Sequence, residues 1–330
     1  MLEKKLSKHD TNTIKGIAIL MVILCHIAGN YTRVFTPLGG IGVALFLFIS
    51  AYGLEKSFQK KSVLNQNPLK NFWYKRLITV FLPYIFFEII RISFIQAKPS
   101  YYNLLLDFTL RKPLFQYGWY LNYLILWYII FWIIHKLFQN PRMTQFLFCI
   151  ITVILCIYFG LCNYNSLRFE QSFSFLLGIL YANNESHINL FKRKNKFICN
   201  IFIFLTILIF SLGIKQVPII RNIGYPIMSI LDLIIKSISL ISIIQIILFF
   251  NNLKPSFYLN IWSVFKKFIE PFGSLSFELY LIHGCTISIL SKSNNLLLGL
   301  SIFLTTTILF TLIFSIINNF TKQYLTNLIK

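Results

Sequence analysis

Charged side chains are scarce in this chain of 330 residues, of which only 12% are Asp, Glu, Lys or Arg. A soluble domain carries about 25% charged residues. By contrast, 56% of this sequence is hydrophobic and its mean hydropathy is +0.69. The composition therefore excludes an ordinary soluble domain and indicates that much of the surface faces lipid.

Acidic residues are the scarcest charged type, with 10 Asp and Glu against 31 Lys and Arg. In a soluble protein this excess of positive charge would point to a nucleic-acid partner. Here the basic residues concentrate in short segments between apolar runs, as the positive-inside rule describes for membrane proteins. We therefore predict contacts with membrane lipids and no nucleic-acid partner.

Metal-binding and disulfide patterns are also missing. The six cysteines include no CxxC pair and no histidine at zinc spacing, so neither a metal site nor a disulfide framework is predicted. No A-x-A-like cleavage site follows the first apolar run, so this run is predicted to be a retained helix. Internal repeats and long polar tracts are lacking too, and we predict a single transmembrane domain over residues 1–330.

Long apolar runs are what the sequence does have, and a membrane span needs about 20 such residues. The runs predict an all-α polytopic membrane protein with about ten transmembrane helices: 14–30, 38–55, 77–96, 118–136, 144–162, 170–183, 197–213, 223–250, 272–290 and 296–319. With these spans, 20 Lys and Arg lie in the two ends and alternate loops, and 8 lie on the opposite side. The positive-inside rule then places both termini in the cytoplasm.

A few ionisable residues interrupt the predicted spans, where a charge costs about 2.5–3.5 kcal/mol on insertion scales. Glu88 and Arg91 are three residues apart, and Asp232 and Lys236 are four apart, so each pair shares one face of a helix. Such pairs either neutralise each other or line a polar cavity, and the sequence leaves both interpretations open.

Two histidines in these spans have no charged partner at helical spacing. His26 follows Lys15 by eleven residues, or about 16 Å along a helix, which places its ring near the middle of the membrane. His283 lies eleven residues beyond Phe272, so we expect it at a similar depth. Each is either a neutral histidine bonded to a neighbouring helix or part of a proton-transfer site, and the matching depth favours a site.

Four segments carry motifs in a fixed order: Ile14–Leu20 running on to Cys25–His26, Gly42–Leu54, Lys75–Arg76 followed by Pro83–Tyr84, and Phe272–Phe277 ending in Tyr280–His283. Together they resemble acyltransferase family 3, the integral membrane O-acyltransferases. In that family an arginine precedes the histidine of the first helix with ten residues between them. Lys15 stands in the arginine position here, and His26 in the histidine position. Trp119–Leu121 is a shorter match.

The resemblance implies a function for these residues. Family members move an acyl group, usually acetyl, from cytoplasmic acyl-CoA to a hydroxyl of a sugar or lipid-linked glycan. Acyl-CoA would be a donor substrate, with no bound cofactor. His26 is the expected base or transient acyl carrier, with His283 or Glu278 positioning the acceptor or an oxyanion. The other expected binding residues are those of the basic donor site and the polar membrane interior: Lys15, Lys75, Arg76, Glu88, Arg91, Trp119, Asp232 and Lys236.

Two other classes of protein stay open at this stage. A transporter or flippase for a polar or lipid-linked sugar would suit the intramembrane charges, although no repeat supports it. A non-catalytic membrane scaffold would tolerate substitution of His26. The expected location is a cell membrane that the chain crosses many times, most simply the bacterial cytoplasmic membrane.

Overall fold

The structure is a computed structural model, and it describes residues 6–32, 34–94, 98–161, 166–188, 216–224, 227–252, 257–293 and 295–327, with short pieces between 205 and 214. Within these ranges the chain is helical and contains no strand. The helices are α1 Lys8–Gly29, α2 Thr36–Val63, α3 Phe72–Arg76, α4 Leu82–Ser93, α5 Tyr101–Phe108, α6 Trp119–Leu137, α7 Pro141–Leu161, α8 Ser166–Phe169, α9 Ser172–Ile188, α10 Pro218–Arg221, α11 Ile227–Asn252, α12 Phe257–Ser274, α13 Ser276–Thr286, α14 Ser288–Lys292 and α15 Leu296–Asn327.

Six of these helical segments are long and apolar enough to cross a membrane, or seven if α12 and α13, which meet at Leu275, count as one broken span. The six lie at Lys8–Gly29, Thr36–Val63, Gln116–Leu137, Pro141–Leu161, Ile227–Asn251 and Leu296–Asn327. The all-helical, multi-span architecture is confirmed. The predicted count of ten is not reached within the described part of the chain.

Three predicted spans account for the difference. The span at 77–96 is divided into one turn of π-helix, Leu77–Phe81 (below, the π-turn), and the twelve residues of α4. Pro83 explains the turn, because its ring lacks an N–H and crowds the preceding carbonyl groups. The span at 170–183 corresponds to α9, which has 17 residues and a non-helical conformation at Asn184. The span at 197–213 lies mostly outside the described residues.

The segment 251–271, predicted to be a loop, is largely helical because α12 begins at Phe257. Polar and charged residues are interspersed among its aromatic and aliphatic residues, so it lacks the uninterrupted apolar run that identifies a span. Two of its polar residues bind the start of α1: Lys266 Nζ lies 2.5 Å from Asp10 Oδ1, and Glu270 Oε2 lies 3.0 Å from His9 Nδ1. Contacts with α1 therefore explain why this amphipathic segment is helical.

A capping box starts α1 earlier than the apolar run does. The Ser7 side chain accepts a hydrogen bond from the Asp10 N–H, and Asp10 Oδ2 accepts one from the Ser7 N–H. Just before this cap, the Leu6 N–H donates to Glu185 Oε1 of α9. The helix consequently begins at Lys8, six residues before the predicted span.

Small residues let the long helices approach closely. A β-carbon on Gly42 of α2 would lie 2.5 Å from the Ala18 carbonyl oxygen of α1, and one on Gly178 of α9 would lie 2.4 Å from the Phe48 carbonyl oxygen of α2. The contact between α1 and α12 is tighter still. A β-carbon on Gly273 would lie 1.8 Å from the Asn12 carbonyl oxygen. Close backbone contact through small residues is typical of membrane helices.

The helices form two compact units. One comprises residues 1–68 and 138–274, and the other comprises residues 69–137 and 275–330. The first contains α1, α2 and α7 to α12. The second contains α3 to α6 and α13 to α15. This division separates the candidate site residues into two groups.

Candidate active site

Lys15 and His26 lie on the continuous helix α1 of the first unit, and both side chains are half-buried. Eleven residues correspond to just over three turns, so the two side chains project from nearly the same face, about 16 Å apart along the axis. The predicted helix and spacing are confirmed by this geometry. A cation and an imidazole on one face can hold the two ends of an elongated anionic molecule.

The start of α2 packs against the C-terminal end of α1, where His26 lies. The Cys25 thiol, next to His26, donates to the Thr36 carbonyl oxygen at 3.4 Å. A β-carbon on Gly39 would lie 2.7 Å from this sulfur. The following Gly40 has the Lys236 side chain of α11 across it, at 2.2 Å from the position of a β-carbon. Both glycines therefore serve close packing between helices.

Lys236 forms a buried ion pair with Glu170, which lies just before α9. The two side chains are 8% and 10% exposed. Local spacing instead favours Asp232, one turn earlier on α11, as the partner of Lys236. Asp232 is itself buried. Next to Glu170, Gln171 Nε2 donates to the Gly40 carbonyl oxygen at 2.8 Å, so this segment holds both α2 and α11.

Removing one member of this ion pair should be much worse than removing both. We expect Glu170→Ala to lower the free energy of unfolding by about 3–5 kcal/mol, because it leaves the buried Lys236 ammonium uncompensated. Adding Lys236→Met should restore a large part of that loss. Chemical unfolding in detergent micelles measures the free energy of unfolding of the single and the double variant. A double variant as unstable as Glu170→Ala would show that the pairing does not determine stability.

In the second unit, Glu88 and Arg91 pair with each other on α4, as their spacing predicts. Arg91 Nη2 donates to Glu88 Oε2 at 2.6 Å, and Arg91 Nε donates to Oε1 at 2.9 Å. Glu88 is fully buried. The Arg91 guanidinium also lies over the Phe115 ring, with 5.9 Å between its central carbon and the ring centroid. The neutralising interpretation is thus supported. The pair lies beside an aromatic cluster that comprises Phe115, Tyr117 and Tyr280.

His283 is fully buried on α13 within this cluster. Its Nδ1 lies 2.9 Å from the Leu279 carbonyl oxygen, which orients the ring. The Tyr117 and Tyr280 rings lie 5.3 and 5.7 Å from the imidazole, measured between centroids. The Tyr280 hydroxyl donates to the Tyr117 carbonyl oxygen at 2.8 Å. Two tyrosines therefore hold this histidine in place.

Glu278, also on α13, bonds to the last helix. Its Oε1 accepts from Asn318 Nδ2 at 2.6 Å and lies 3.9 Å from Lys322 Nζ. Both partners belong to α15, so this carboxylate helps to fix that helix against α13. Helical spacing predicts no pairing for Glu278, because its partners are 40 and 44 residues away.

The basic residues before α4 have different environments. Lys75 is exposed, whereas Arg76 is half-buried, with its guanidinium carbon 4.3 Å from the Phe72 ring centroid and 5.2 Å from that of Tyr128. Stacking on two rings fixes the position of the guanidinium plane. Trp119, the first residue of α6, is half-buried.

The match of the sequence with known families covers almost the whole chain. A family model described as an acyltransferase domain matches residues 9–318. This is the family that the four sequence motifs predict. The chain belongs to acyltransferase family 3. The comparisons with curated proteins and with solved structures found no match.

The family assignment and the helices together make this chain a multi-pass membrane acyltransferase. The match begins within α1 and ends within α15, so it includes both units. The acyltransferase motifs contribute a histidine to each unit, His26 to the first and His283 to the second. The expected common depth of these two histidines stays a prediction.

The predicted site residues divide between the two units. The first unit contains Lys15, His26, Asp232 and Lys236, and the second contains Lys75, Arg76, Glu88, Arg91, Trp119, Glu278 and His283. Two buried carboxylates fall outside the site predicted from the sequence: Glu170, the partner of Lys236, and Asp107, which is fully buried near Tyr84. Glu170 falls at the first residue of a predicted span, which offered a signal. Asp107 lies in a predicted loop, where an acidic residue is ordinary.

Proposed function

We propose that this membrane acyltransferase is an O-acetyltransferase that moves an acyl group from cytoplasmic acyl-CoA to a hydroxyl of a cell-surface glycan or its lipid-linked precursor. The observation that carries the proposal is the face of α1 on which half-buried Lys15 and His26 lie three turns apart. The lysine suits the phosphates of a CoA donor. The histidine suits a proton transfer at the thioester end.

The reaction follows from the chemistry of the two substrates. A sugar hydroxyl is a weak nucleophile, and the neutral His26 imidazole accepts its proton as the oxygen attacks the thioester carbonyl. The new C–O bond forms and the C–S bond breaks. The imidazolium then returns the proton to the departing CoA thiolate, so that an ester and free CoA result. No cofactor or metal takes part in this balance.

The remaining residues hold the two substrates. Lys15, Lys75 and Arg76 bind the anionic donor, and Lys15 does so as a point charge, unlike the arginine usual at its position. His283 or Glu278 positions the acceptor or the oxyanion of the tetrahedral intermediate, and of the two only the imidazole can donate a hydrogen bond to that oxyanion. The polar and aromatic residues of the membrane interior contribute to substrate binding: Glu88, Arg91, Trp119, Asp232 and Lys236.

For topology, we propose that residues 1–330 form one transmembrane acyltransferase domain of ten spans with both ends in the cytoplasm. The support is the excess of Lys and Arg in alternate loops, 20 against 8. In this orientation Lys75 and Arg76 face the compartment that contains acyl-CoA. The location we propose is the bacterial cytoplasmic membrane, with a role in modifying polysaccharides of the cell envelope.

Thiol release from acetyl-CoA by the protein in lipid nanodiscs tests this function. We expect slow release with water as acceptor and faster release when mixed bacterial cell-wall glycans are added. A labelled acetyl group should then appear as an ester on the glycan. If neither acetyl-CoA nor succinyl-CoA releases thiol with glycans present, the proposed donor is wrong. Movement of glycan across the membrane of proteoliposomes without thiol release would indicate a transporter.

A further inference from the structure

The segment between α5 and α6 is tightly held by side chains of the second unit. Leu110 within it has a positive φ of 54°, an uncommon conformation for leucine, and is 1% exposed. Its carbonyl oxygen accepts a 2.6 Å hydrogen bond from Asn122 Nδ2 of α6. The segment ends in a short 3₁₀ turn, Gln116–Gly118.

Asp107, near the end of α5, ties this segment to α4. Its Oδ1 accepts a 2.6 Å hydrogen bond from the Tyr84 hydroxyl and a 2.9 Å bond from the Leu114 N–H. Both Asp107 and Tyr84 are fully buried. One carboxylate oxygen thus joins three parts of the unit: α4, α5 and the backbone that leads into the 3₁₀ turn.

The packing of Gly118 strengthens the same junction. A β-carbon on this glycine would lie 2.4 Å from Pro113 Cβ and 3.4 Å from the Tyr84 hydroxyl oxygen. The segment therefore folds back on itself beside the Asp107–Tyr84 hydrogen bond. Because Tyr117 immediately precedes Gly118, the position of its ring depends on this fold.

The Tyr117 ring in turn lies against the histidine of α13. Its centroid is 5.3 Å from that of His283, and 5.4 Å from that of Phe115. A β-carbon on Gly284 would lie 2.4 Å from the Tyr117 ring and 2.5 Å from the Phe115 ring. The absence of a side chain at Gly284 therefore gives both rings their places beside His283.

We propose that Asp107 is a positioning residue for this acyltransferase: by holding Tyr84 and the Leu114 backbone, it fixes the segment that packs Tyr117 against His283. The inference rests on the proposed function in assigning His283 a part in acceptor positioning. The physical link is a buried hydrogen-bonded junction that loses both of its bonds when one oxygen is removed.

The number of bonds to Oδ1 makes a sharp distinction between two substitutions. Asparagine keeps an acceptor oxygen of the same geometry, so Asp107→Asn preserves both bonds to Tyr84 and Leu114. Alanine removes both. Tyr84→Phe removes one and leaves the Leu114 bond intact, which provides a milder variant should Asp107→Ala fold poorly. The three variants should therefore rank by the number of Oδ1 bonds lost: none in Asp107→Asn, one in Tyr84→Phe and two in Asp107→Ala.

Diethyl pyrocarbonate, which acylates accessible imidazoles, can report on His283 directly in the full-length protein in nanodiscs. His135 is the matched comparator, because it is also buried in the second unit, with Nδ1 3.1 Å from the Phe131 carbonyl oxygen. Mass spectrometry of the modified peptides gives a separate rate for each histidine. Thiol release from acetyl-CoA is measured alongside, giving kcat and KM for the donor.

We expect Asp107→Ala to raise the modification rate of His283 by about tenfold, since local opening follows the loss of buried hydrogen bonds. In the same variant, His135 should keep its wild-type modification rate. At His283, Tyr84→Phe should give a smaller rise in this rate, and Asp107→Asn should match wild type. In turnover, kcat should fall in Asp107→Ala while KM for acetyl-CoA is unchanged.

Three results would overturn the inference. The first is a modification rate of His283 in Asp107→Ala that equals the wild-type rate. The second is an equal rise in the modification rate of His135, and the third is a rate in Asp107→Asn as high as that in Asp107→Ala. The second would indicate general loosening of the fold, and the third a requirement for charge. Failure of the proposed function is separate, because it would appear as absence of thiol release in wild type and leave the modification rates interpretable.

Discussion

Replacing His26 with alanine should lower acetyl-CoA turnover by about 10²–10⁴-fold, the contribution expected of a general base. His26→Gln should lose nearly as much, because glutamine keeps hydrogen-bonding capacity but cannot take a proton. Both variants should unfold at nearly the wild-type temperature, because the side chain is half-buried and α1 keeps its packing through Gly16 and Ala18. Thiol release and thermal unfolding in nanodiscs measure the two effects.

The same helix supplies a control for this substitution. His9 is the second residue of α1, its side chain is 77% exposed, and it pairs with Glu270. An exposed pair of this kind contributes little to stability, so His9→Ala should retain wild-type turnover. If His26→Ala kept activity within a few-fold of His9→Ala, His26 would not be the base, and His283 would be the next residue to replace.

Interactions between residues close in sequence were predictable, and those between distant residues were not. The Glu88–Arg91 pair follows from its spacing, because residues three apart share one face of a helix. Lys236 offered the same kind of spacing with Asp232, yet its ion pair is with Glu170, 66 residues earlier. A local rule gives no information about which helices meet. The partners of Glu278 and Asp107 were missed for the same reason.

Helix boundaries show a similar limit of hydropathy. Apolar runs located the first two spans, yet α1 begins earlier than its run because Ser7 and Asp10 cap it. Hydropathy also missed α12, whose charged residues Lys266 and Glu270 bind the start of α1. The π-turn before α4 depends on Pro83, which was visible in the sequence but was read inside a continuous span. A cap, a proline and polar contacts between helices set these boundaries.

Replacing Gly273 with alanine should be the most damaging small substitution in the first unit. The added β-carbon would lie 1.8 Å from the Asn12 carbonyl oxygen and 3.0 Å from the Gly16 nitrogen. These are backbone atoms of α1, so no side chain can turn away and the two helices must separate. Overpacking typically costs 1–3 kcal/mol, and we expect about 3 kcal/mol or more here. Unfolding in detergent micelles measures the loss.

The matched control is Gly53→Ala, because Gly53 lies inside α2, is exposed and has no atom within 4 Å of the added β-carbon. Alanine favours a helix over glycine by about 0.5–1 kcal/mol, so this variant should be as stable as wild type or more so. Gly273→Ala should also reduce turnover, since Lys15 adjoins the contact at Gly16. If the two alanine variants unfolded alike, α1 and α12 would not be in backbone contact. The glycine of the late motif would then need an explanation other than the packing of the helix that contains Lys15 and His26.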